Sequence, residues 1–379
     1  MVSERKARRR KIKIAFIVVR LGGGGAERLV LNLLKGLDRD AYHPLLVTLT
    51  SPGDYIDFLP DDIPATHLTS KRMLTSFVPL ARHLAETQPE IIFSPGRGTS
   101  MVAVLASKLS GASPKIILRE ANLVSKERIL KVGFLELRYT FLRWLYLQAD
   151  HVVALTDVVK EELHTYLHLG PQTVSRIYNP IDLNTIRDQA STPPDHPWFS
   201  EPGMAVVVAA GRLVPQKGFL DLIQSISLLQ CKKDVRLLIL GRGEALEALR
   251  KSAVESGLED KIAFLGFRKN PYSYMAHGDV FVLSSLWEGV GNVVLEAMAA
   301  GTPVVATRCG GPEEIVLDGE NGLLVPPGDP YALAEAIDKI LESDYLSEKL
   351  TRNAANQIEK FKSTTKVKEY QVVFQRVVQ

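Results

Sequence analysis

Two basic side chains stand five residues apart in the segment 211–218, which reads GRLVPQKG. A buried, apolar run precedes this segment and a helical pattern follows it, so a strand-to-helix loop is predicted here. Parallel sheets bind their ligands at such loops, and a guanidinium and an ammonium group can bracket a diphosphate there. Arg212 and Lys217 are therefore candidate phosphate-binding residues, although two solvated surface cations would give the same pattern.

A line of polar residues marks one face of the helix predicted to begin near residue 290. Asn292 and Glu296 are four residues apart and Glu288 precedes the helix, so the three span about 12 Å at roughly 1.5 Å per residue. The rest of the helix is apolar or small, which predicts that Glu296 is buried and needs a polar partner. Ligand hydroxyls would be such a partner; a buried arginine or a backbone group is the alternative.

Four consecutive glycines, 22–25, follow the first predicted strand and precede the first predicted helix. Glycine permits positive φ angles and close approach of a ligand, and a helix N-terminus offers free N–H groups to an anion. The pattern is not the dinucleotide-binding fingerprint, because Glu27 replaces its last glycine and the second strand ends at Thr50 without a ribose-binding acid. We expect a phosphate-binding loop or a tight turn, and no NAD site.

Residues able to hold a metal ion are few and poorly spaced for that purpose. His164 and His168 form a helical pair without an HExxH motif, and the acids Asp38 and Asp40 fall in a predicted surface turn. The two cysteines, at 231 and 309, are too far apart for a CxxC site and too few for a disulfide framework. The sequence therefore predicts no metal, no cofactor and a reducing compartment.

These candidate residues need a scaffold, and the 379-residue length predicts two domains at roughly 100–200 residues each. Hydrophobic residues make up 46% of the chain, which excludes a disordered protein. Apolar runs alternate with helical segments in both halves, which predicts two doubly wound, Rossmann-like α/β domains facing each other across a cleft. The predicted strands are 12–19, 44–50, 91–94, 115–119, 151–155 and 174–177, then 204–210, 235–240, 261–265, 279–284, 303–307 and 322–325.

A proline-rich segment, 188–203, interrupts both regular patterns and predicts the boundary between the domains. We expect a first domain over 1–187, including a basic arm at 1–11, and a second domain over 204–360. The helical stretch 361–379 has no strand after it, and we expect it to pack back on the first domain.

The net charge of +3 is concentrated at the start of the chain, since the first 13 residues alone contribute +6. Basic residues also alternate with aromatic ones in the predicted helix 125–148, which would suit an anionic membrane surface or a solvated cationic face. No apolar stretch is long enough to span a bilayer and no signal peptide is recognisable. We expect a cytoplasmic protein, peripheral on the cytoplasmic face of a membrane, that binds no nucleic acid.

Several of these motifs, taken in order, resemble the retaining nucleotide-sugar glycosyltransferases of glycosyltransferase family 4, the group 1 type with the GT-B fold. The resemblance rests on the glycine-rich first loop, on G-R-L-x-x-x-K-G at 211–218 and on L-G-x-G-E at 240–244. It continues with E-x7-E at Glu288 and Glu296, followed by A-M-A-A-G-T-P-V-V-A-T at 297–307. The second domain is matched almost throughout, and the first only loosely.

The resemblance implies roles for particular residues. Arg212 and Lys217 would neutralise the diphosphate of a nucleotide-sugar donor, Glu296 would bind the ribose and Glu288 would contact the transferred sugar. The remaining implied donor contacts are Gly23 and Gly24 from the first domain, the backbone of Gly291, Asn292 and Val293, and Gly241, Arg242, Phe267 and Arg268 near the base.

One position departs from the family pattern, since many relatives have a histidine after the strand that corresponds to 115–119. This chain reads Arg119-Glu120-Ala121-Asn122 there. The first-domain sugar contact would then pass to Glu120, Asn122 or Arg97, and we take Glu120 as the catalytic candidate. A structural ion pair between Glu120 and Arg119 or another cation is the alternative.

The resemblance implies a retaining glycosyltransferase that needs no metal. The donor is expected to be a nucleotide sugar, with UDP as the nucleotide and a hexose or N-acetylhexosamine as the sugar. The acceptor is expected to be a glycan or lipid-linked glycan of cell-surface polysaccharide or glycolipid biosynthesis. A sugar-nucleotide epimerase or hydrolase on the same fold, and a non-catalytic nucleotide-sugar-binding protein, remain alternatives.

Overall fold

The structure is a computed structural model that describes residues 10–22, 24–123, 125 and 135–379. It divides into two compact units. The first comprises residues up to Pro180 together with Ser363–Gln379, and the second comprises Ile181–Lys362. The chain therefore crosses between the units twice.

The first unit is built on a parallel sheet with the strand order β3-β2-β1-β4-β5-β6-β7 among the described residues. Its strands are β1 (Ile12–Val18), β2 (Tyr42–Thr48), β3 (Ala65–His67), β4 (Ile91–Ser94), β5 (Lys115–Glu120), β6 (His151–Ala154) and β7 (Val174–Arg176). β2 and β3 follow β1 on one side of it, and the chain then returns to place β4 to β7 on the other side. The carboxyl ends of β1 and β4 therefore form the point at which the winding reverses.

Helices cover both faces of this sheet, which explains why its strands are apolar on both sides. They are α1 (Gly25–Gly36), α2 (Phe77–Thr87), α3 (Arg97–Ser110), α4 (Leu135–Leu147), α5 (Asp157–Thr165) and, from the end of the chain, the helix Ser363–Val378. Ala15 and Ile17 of β1 pack with α2 and α3. Phe16 points the other way, because side chains alternate along a strand, and meets Phe374 of the C-terminal helix.

The second unit repeats the plan with the parallel strand order β10-β9-β8-β11-β12-β13. Its strands are β8 (Met204–Ala210), β9 (Asp234–Leu240), β10 (Ile262–Gly266), β11 (Val280–Leu283), β12 (Val304–Thr307) and β13 (Leu323–Val325). Its helices are α6 (Leu183–Ala190), α7 (Phe219–Leu228), α8 (Leu246–Glu255), α9 (Pro271–His277), α10 (Asn292–Ala300), α11 (Pro330–Leu341) and α12 (Asp344–Ile358), so the helix Ser363–Val378 is α13. Here the winding reverses between β8 and β11.

The two Rossmann-like units confirm the predicted fold class. The division between them lies at 180/181 and 362/363, whereas the proline-rich segment 188–203 was expected to be the linker. That segment lies inside the second unit because its groups are bound there. The hydroxyl of Ser273 donates to the carbonyl of Thr192 at 2.7 Å, and Phe199 packs on Tyr274.

The C-terminal helix α13 completes the core of the first unit. Its Phe374 is fully buried, with ring centroids 6.1 Å from those of Tyr42 and Phe93 and 6.3 Å from that of Phe16. The apolar side chains of α13 recur at Val367, Tyr370 and Phe374, which is the spacing that lines one helix face with core residues.

We expect Phe374→Ala to lower the free energy of unfolding by about 3–5 kcal/mol, because it leaves a cavity among packed aromatic rings. Urea unfolding measures this change. Val372→Ala is the matched control on the same helix: Val372 is 54% exposed, and its truncation should cost less than about 0.5 kcal/mol. Similar small shifts for both variants would show that α13 does not complete the core.

Candidate functional site

The residues singled out in the second half of the sequence lie around the carboxyl ends of β8, β9, β10 and β11. The loop 211–218 follows β8, the loop 241–245 follows β9, and the loop 284–291 follows β11 and precedes α10. Ligands of doubly wound sheets bind at the carboxyl ends of the strands where the winding reverses. We call the place where the loops after β8 and β11 meet the β8–β11 site.

An ion pair lies at the centre of the β8–β11 site. The ammonium group of Lys217 pairs with the Oε1 atom of Glu288, and each side chain is only 12% exposed. The hydroxyl of Ser285, which is fully buried, donates to the same Oε1 atom at 2.9 Å. Two residues that sequence analysis placed on separate loops are therefore in direct contact, and Ser285 is a third member that it did not identify.

Hydrogen bonds join the two loops and hold the ion pair in place. The hydroxyl of Ser284 donates to the carbonyl of Lys217 at 2.9 Å, and the amide of Leu286 donates to the carbonyl of Gln216 at 2.8 Å. Gly218 lies between them with φ of +60°, and a side chain there would overlap the carbonyl oxygen of Ser284. Only glycine can follow Lys217 without separating the loops.

The loop after β9 packs against the loop after β8 through its backbone. The amide of Leu213 donates to the carbonyl of Arg242 at 2.9 Å, and Gly241 has a φ of +141° and approaches the carbonyl of Gly211. A side chain at position 241 would overlap that carbonyl. The side chains of Arg212 and Arg242 are exposed beside this contact.

Helix α10 begins at Asn292, two residues later than predicted, with Gly291 as its N-cap residue. Asn292 and Val293 are half-buried in its first turn, whereas Glu296 is 3% exposed, as its apolar surroundings in the sequence predicted. After β10, Phe267 is half-buried and Arg268 is exposed, and the guanidinium of Arg268 lies 5.9 Å from the ring centroid of Tyr274.

Cys309 is a further neighbour of the ion pair that sequence analysis did not identify. Its carbonyl accepts the amide of Glu288 at 2.9 Å, and its side chain is buried. Burial raises the pKa of the Cys309 thiol to about 12, and the charge of Glu288 adds to this shift. The thiol is therefore protonated at neutral pH and contributes a small apolar wall to the site.

The first unit has a pocket of about 160 Å³ at its own winding reversal. Its lining comes from the end of β1 and the residues after it, from the residues after β4, and from Met73. Its two charged side chains are Glu27 and Arg97, and the other lining residues are Val18, Val19, Ala26, Met73, Pro95, Gly96, Gly98 and Thr99. Gly24 lies next to this pocket as the N-cap residue of α1. Gly23 lies outside the described residues.

The carboxylate of Glu120 is 1% exposed and binds groups of the protein. It pairs with Arg97, accepts the hydroxyl of Tyr146, and accepts the amides of Ala121 and Asn122 at 2.8 Å each. Burial raises the pKa of the Tyr146 hydroxyl well above its usual value, so this hydroxyl remains a hydrogen-bond donor. The structure thus contains the ion pair that was the alternative to a catalytic role for Glu120, and its cation is Arg97 of α3.

Arg119 does not bind Glu120, because neighbouring strand residues point to opposite faces of the sheet. Its buried guanidinium donates to the Oδ1 atom of Asn179 at 2.6 Å and to the carbonyl of Pro95 at 3.4 Å. Arg97, by contrast, donates to Glu120 and to the carbonyl of Asn122 at 3.2 Å and lines the pocket. Of the three first-domain candidates, Arg97 is the one whose side chain borders this pocket.

Among the residues that the structure describes, no three His, Cys, Asp or Glu side chains converge in a way that could hold a metal ion.

Comparison with known proteins defines the class to which this arrangement belongs. Residues 196–357 match the family model of glycosyl transferases group 1, and residues 23–185 match that of glycosyltransferase family 4. The two matched regions fall on the two Rossmann-like units of a GT-B glycosyltransferase. The chain belongs to the group 1 glycosyltransferases.

Individual relatives agree with this assignment. The lipopolysaccharide core biosynthesis glycosyltransferase LpsE of Rhizobium meliloti is 40% identical over 164 residues, which are 43% of this chain and 45% of LpsE. A Campylobacter jejuni enzyme, N-acetylgalactosamine-N,N'-diacetylbacillosaminyl-diphospho-undecaprenol 4-alpha-N-acetylgalactosaminyltransferase, is 29% identical over 92% of this chain and 95% of its own. The crystal structure of Anabaena HepE in complex with UDP and glucose has the same fold, with a TM-score of 0.83 and 23% identity over 96% of this chain and 100% of HepE.

We expect Glu120→Gln to destabilise the first unit by about 3–5 kcal/mol, since it leaves the Arg97 guanidinium beside a neutral group in a buried position. Thermal and urea unfolding measure the change. Asp157→Asn breaks the exposed pair with Arg176 and is the control, with an expected loss below about 1 kcal/mol. If Glu120→Gln is as stable as the control, the pair with Arg97 does not stabilise the fold, and a direct catalytic role for Glu120 is favoured instead.

Proposed function

We propose that this glycosyltransferase is a retaining, metal-independent enzyme that transfers a hexose or N-acetylhexosamine from a UDP-sugar. The acceptor is a glycan or lipid-linked glycan of lipopolysaccharide or glycolipid biosynthesis. The observation that carries the proposal is the ion pair of Lys217 and Glu288 at the winding reversal of the second unit, with Arg212 on the same loop. A cation for phosphate and a carboxylate for sugar hydroxyls are thereby adjacent.

The donor assignment follows from the chemistry of these side chains. Arg212 and Lys217 bind the diphosphate, since a guanidinium and an ammonium group on one loop match two phosphate groups. Glu296 on α10 binds the ribose hydroxyls, and Glu288 contacts the transferred sugar. The complex of Anabaena HepE with UDP and glucose supports UDP as the nucleotide.

In the reaction, the bond between the anomeric carbon and the phosphate oxygen breaks, and the diphosphate leaves with the bonding electrons. Lys217 and Arg212 stabilise the developing negative charge, assisted by the positive N-terminal end of α10. Because these groups supply the compensating charge, the mechanism needs no metal ion. The acceptor hydroxyl attacks from the side on which the diphosphate leaves, and its proton passes to a departing phosphate oxygen, so the configuration is retained.

The first unit binds the acceptor at the pocket bordered by Arg97 and Glu27. A guanidinium and a carboxylate in one pocket suit a ligand rich in hydroxyl groups, and the buried pair with Glu120 fixes the orientation of Arg97. The Campylobacter jejuni relative is named for a diphospho-undecaprenol-linked substrate, which supports a lipid-linked acceptor.

A lipid-linked acceptor requires access to a membrane surface, and one face of the first unit suits such a surface. None of the described helices is long and apolar enough to cross a bilayer. Helices α3 and α4 instead expose a group of large apolar side chains, which we call the α3–α4 face. Its members are Leu105, Leu109, Phe141, Trp144 and Leu147, between 37% and 58% exposed.

The charge of the α3–α4 face favours an anionic lipid surface over a protein partner. Lys108 lies 5.8 Å from the ring of Trp144, and Arg143 is exposed beside it. The sequence of α3 contains no acidic residue, and that of α4 contains only Glu136. Aromatic, aliphatic and basic side chains on one face are typical of helices that bind at the bilayer interface. We therefore place the enzyme on the cytoplasmic face of a membrane; most of the basic arm lies outside the described residues.

We expect Lys217→Ala to reduce kcat/KM by about 100- to 1000-fold, because the leaving diphosphate loses its main charge stabilisation. Transfer of labelled sugar from a panel of UDP-sugars to lipid-linked acceptors measures this loss. Wild-type transfer should persist in EDTA, and NMR of the product should show the anomeric configuration of the donor.

Lys251→Ala, on the exposed surface of α8, is the control. Wild-type rates for Lys217→Ala, or release of free or epimerised sugar without an acceptor, would contradict the proposal.

We expect the double variant Phe141→Ser, Trp144→Ser to bind vesicles of phosphatidylglycerol and phosphatidylcholine about tenfold more weakly than wild type, because it removes buried apolar area at the interface. Vesicle sedimentation measures binding, with pure phosphatidylcholine as the uncharged comparison. Tyr331→Ser and Tyr345→Ser replace exposed aromatic residues of the second unit and should not change binding. Equal sedimentation of all variants, or a wild-type dimer that the double variant abolishes, would assign the face to another partner.

A further inference from the structure

Lys217 and Glu288 neutralise each other within the protein. An anion that binds Lys217 must therefore compete with the carboxylate of Glu288 for the ammonium group. Both side chains are 12% exposed, and the Oε1 atom of Glu288 also accepts the hydroxyl of Ser285. Cys309, whose side chain is buried, lies beside them. A carboxylate in such surroundings is costly to leave without a compensating partner.

The backbone on both sides of the ion pair is fixed, so neither residue can move away with its loop. The carbonyl of Lys217 accepts the hydroxyl of Ser284, and the backbone of Glu288 bonds to Cys309 and Gly311. The methylene groups of Lys217 pack over Gly211. An exchange of partners must therefore occur through the side chains alone.

We propose that Glu288 makes the β8–β11 site select a nucleotide sugar over the free nucleoside diphosphate. When the donor binds, the carboxylate of Glu288 exchanges its partner, the ammonium group of Lys217, for the hydroxyl groups of the sugar. This inference rests on the proposed function. A diphosphate that binds Lys217 draws the ammonium group away from Glu288. The hydroxyl groups of a donor sugar then compensate the carboxylate, whereas a nucleotide without a sugar leaves it uncompensated.

The same exchange assists turnover. Once the sugar has been transferred, Glu288 loses its hydroxyl partners and competes again with the diphosphate for Lys217. The site thus favours release of the product nucleotide and binding of the next donor, although both contain the same nucleoside and the same two phosphate groups.

Isothermal titration of wild type and Glu288→Gln with UDP and with UDP-glucose tests this inference. Glutamine can accept from Ser285 and contact hydroxyl groups, but it is neutral and cannot form an ion pair with the Lys217 ammonium group. We expect UDP to bind Glu288→Gln about tenfold more tightly than wild type, with no such gain for UDP-glucose, so that the ratio of the two affinities shifts by about tenfold.

Two controls separate exchange from a general charge effect. Glu313→Gln removes an exposed carboxylate that bonds to the amide of Gly310 rather than to Lys217, and it should leave the ratio unchanged. In the background of Lys217→Ala, the gain from Glu288→Gln should disappear, since no ammonium group is left to be released.

The outcomes are distinct. Equal tightening of both ligands in Glu288→Gln, or a gain that persists without Lys217, would overturn the exchange and leave the proposed function standing. A wild-type protein that binds neither UDP nor UDP-glucose would overturn the proposed UDP donor and this inference with it.

Discussion

The structure of the second unit around its candidate site depends on the ion pair between Lys217 and Glu288. Lys217 and Glu288 come from different loops, and each can lie at low exposure only because the other compensates its charge. Their contact requires β8 and β11 to be adjacent, which is a consequence of the reversed winding of the sheet. It also requires Gly218, which lets the loop after β8 approach the carbonyl of Ser284. Topology, loop chemistry and electrostatics therefore depend on one another here.

The first unit has an ion pair in a comparable place, but its carboxylate has more hydrogen-bond partners than that of Glu288. Arg97 follows β4 and Glu120 ends β5, so this pair also lies at the carboxyl edge of a parallel sheet. The carboxylate of Glu120 accepts two backbone amides and a tyrosine hydroxyl in addition to Arg97, so it holds the cation in place. Glu288 has a lysine and a serine as its described side-chain partners, which suits a group that exchanges partners with a substrate.

Much of this organisation could be predicted from the sequence. The apolar runs located the strands to within about two residues, because strands buried on both faces are apolar throughout. The three-residue strand β3 was missed, since Ala65–His67 is a short, partly exposed edge strand with no apolar run. The division between the units was placed at the prolines of 188–203, but breaks in local pattern do not show which unit a segment packs against.

For the candidate site, residue type and spacing singled out Lys217 and Glu288 but did not predict the contact between them. Ser285 and Cys309 are inconspicuous in sequence, and their contact with Glu288 depends on how loops after two non-consecutive strands meet. The partner of Glu120 was equally hidden, because Arg97 is supplied by a helix that begins 23 residues earlier. Long-range contacts of this kind follow from topology, which spacing along the chain does not encode.

The position of α13 at the end of the chain determines which of the two units can complete its fold first. The first unit needs Ser363–Gln379 to close its aromatic core around Phe374, and these residues leave the ribosome after the whole of the second unit. Domains fold as units while synthesis proceeds from the N-terminus. The second unit, which is continuous in sequence, can therefore complete its fold while the first still exposes Phe16 and Phe93. The unit synthesised first is thus the last to be finished, and its aromatic core residues are exposed to aggregation until α13 packs on them.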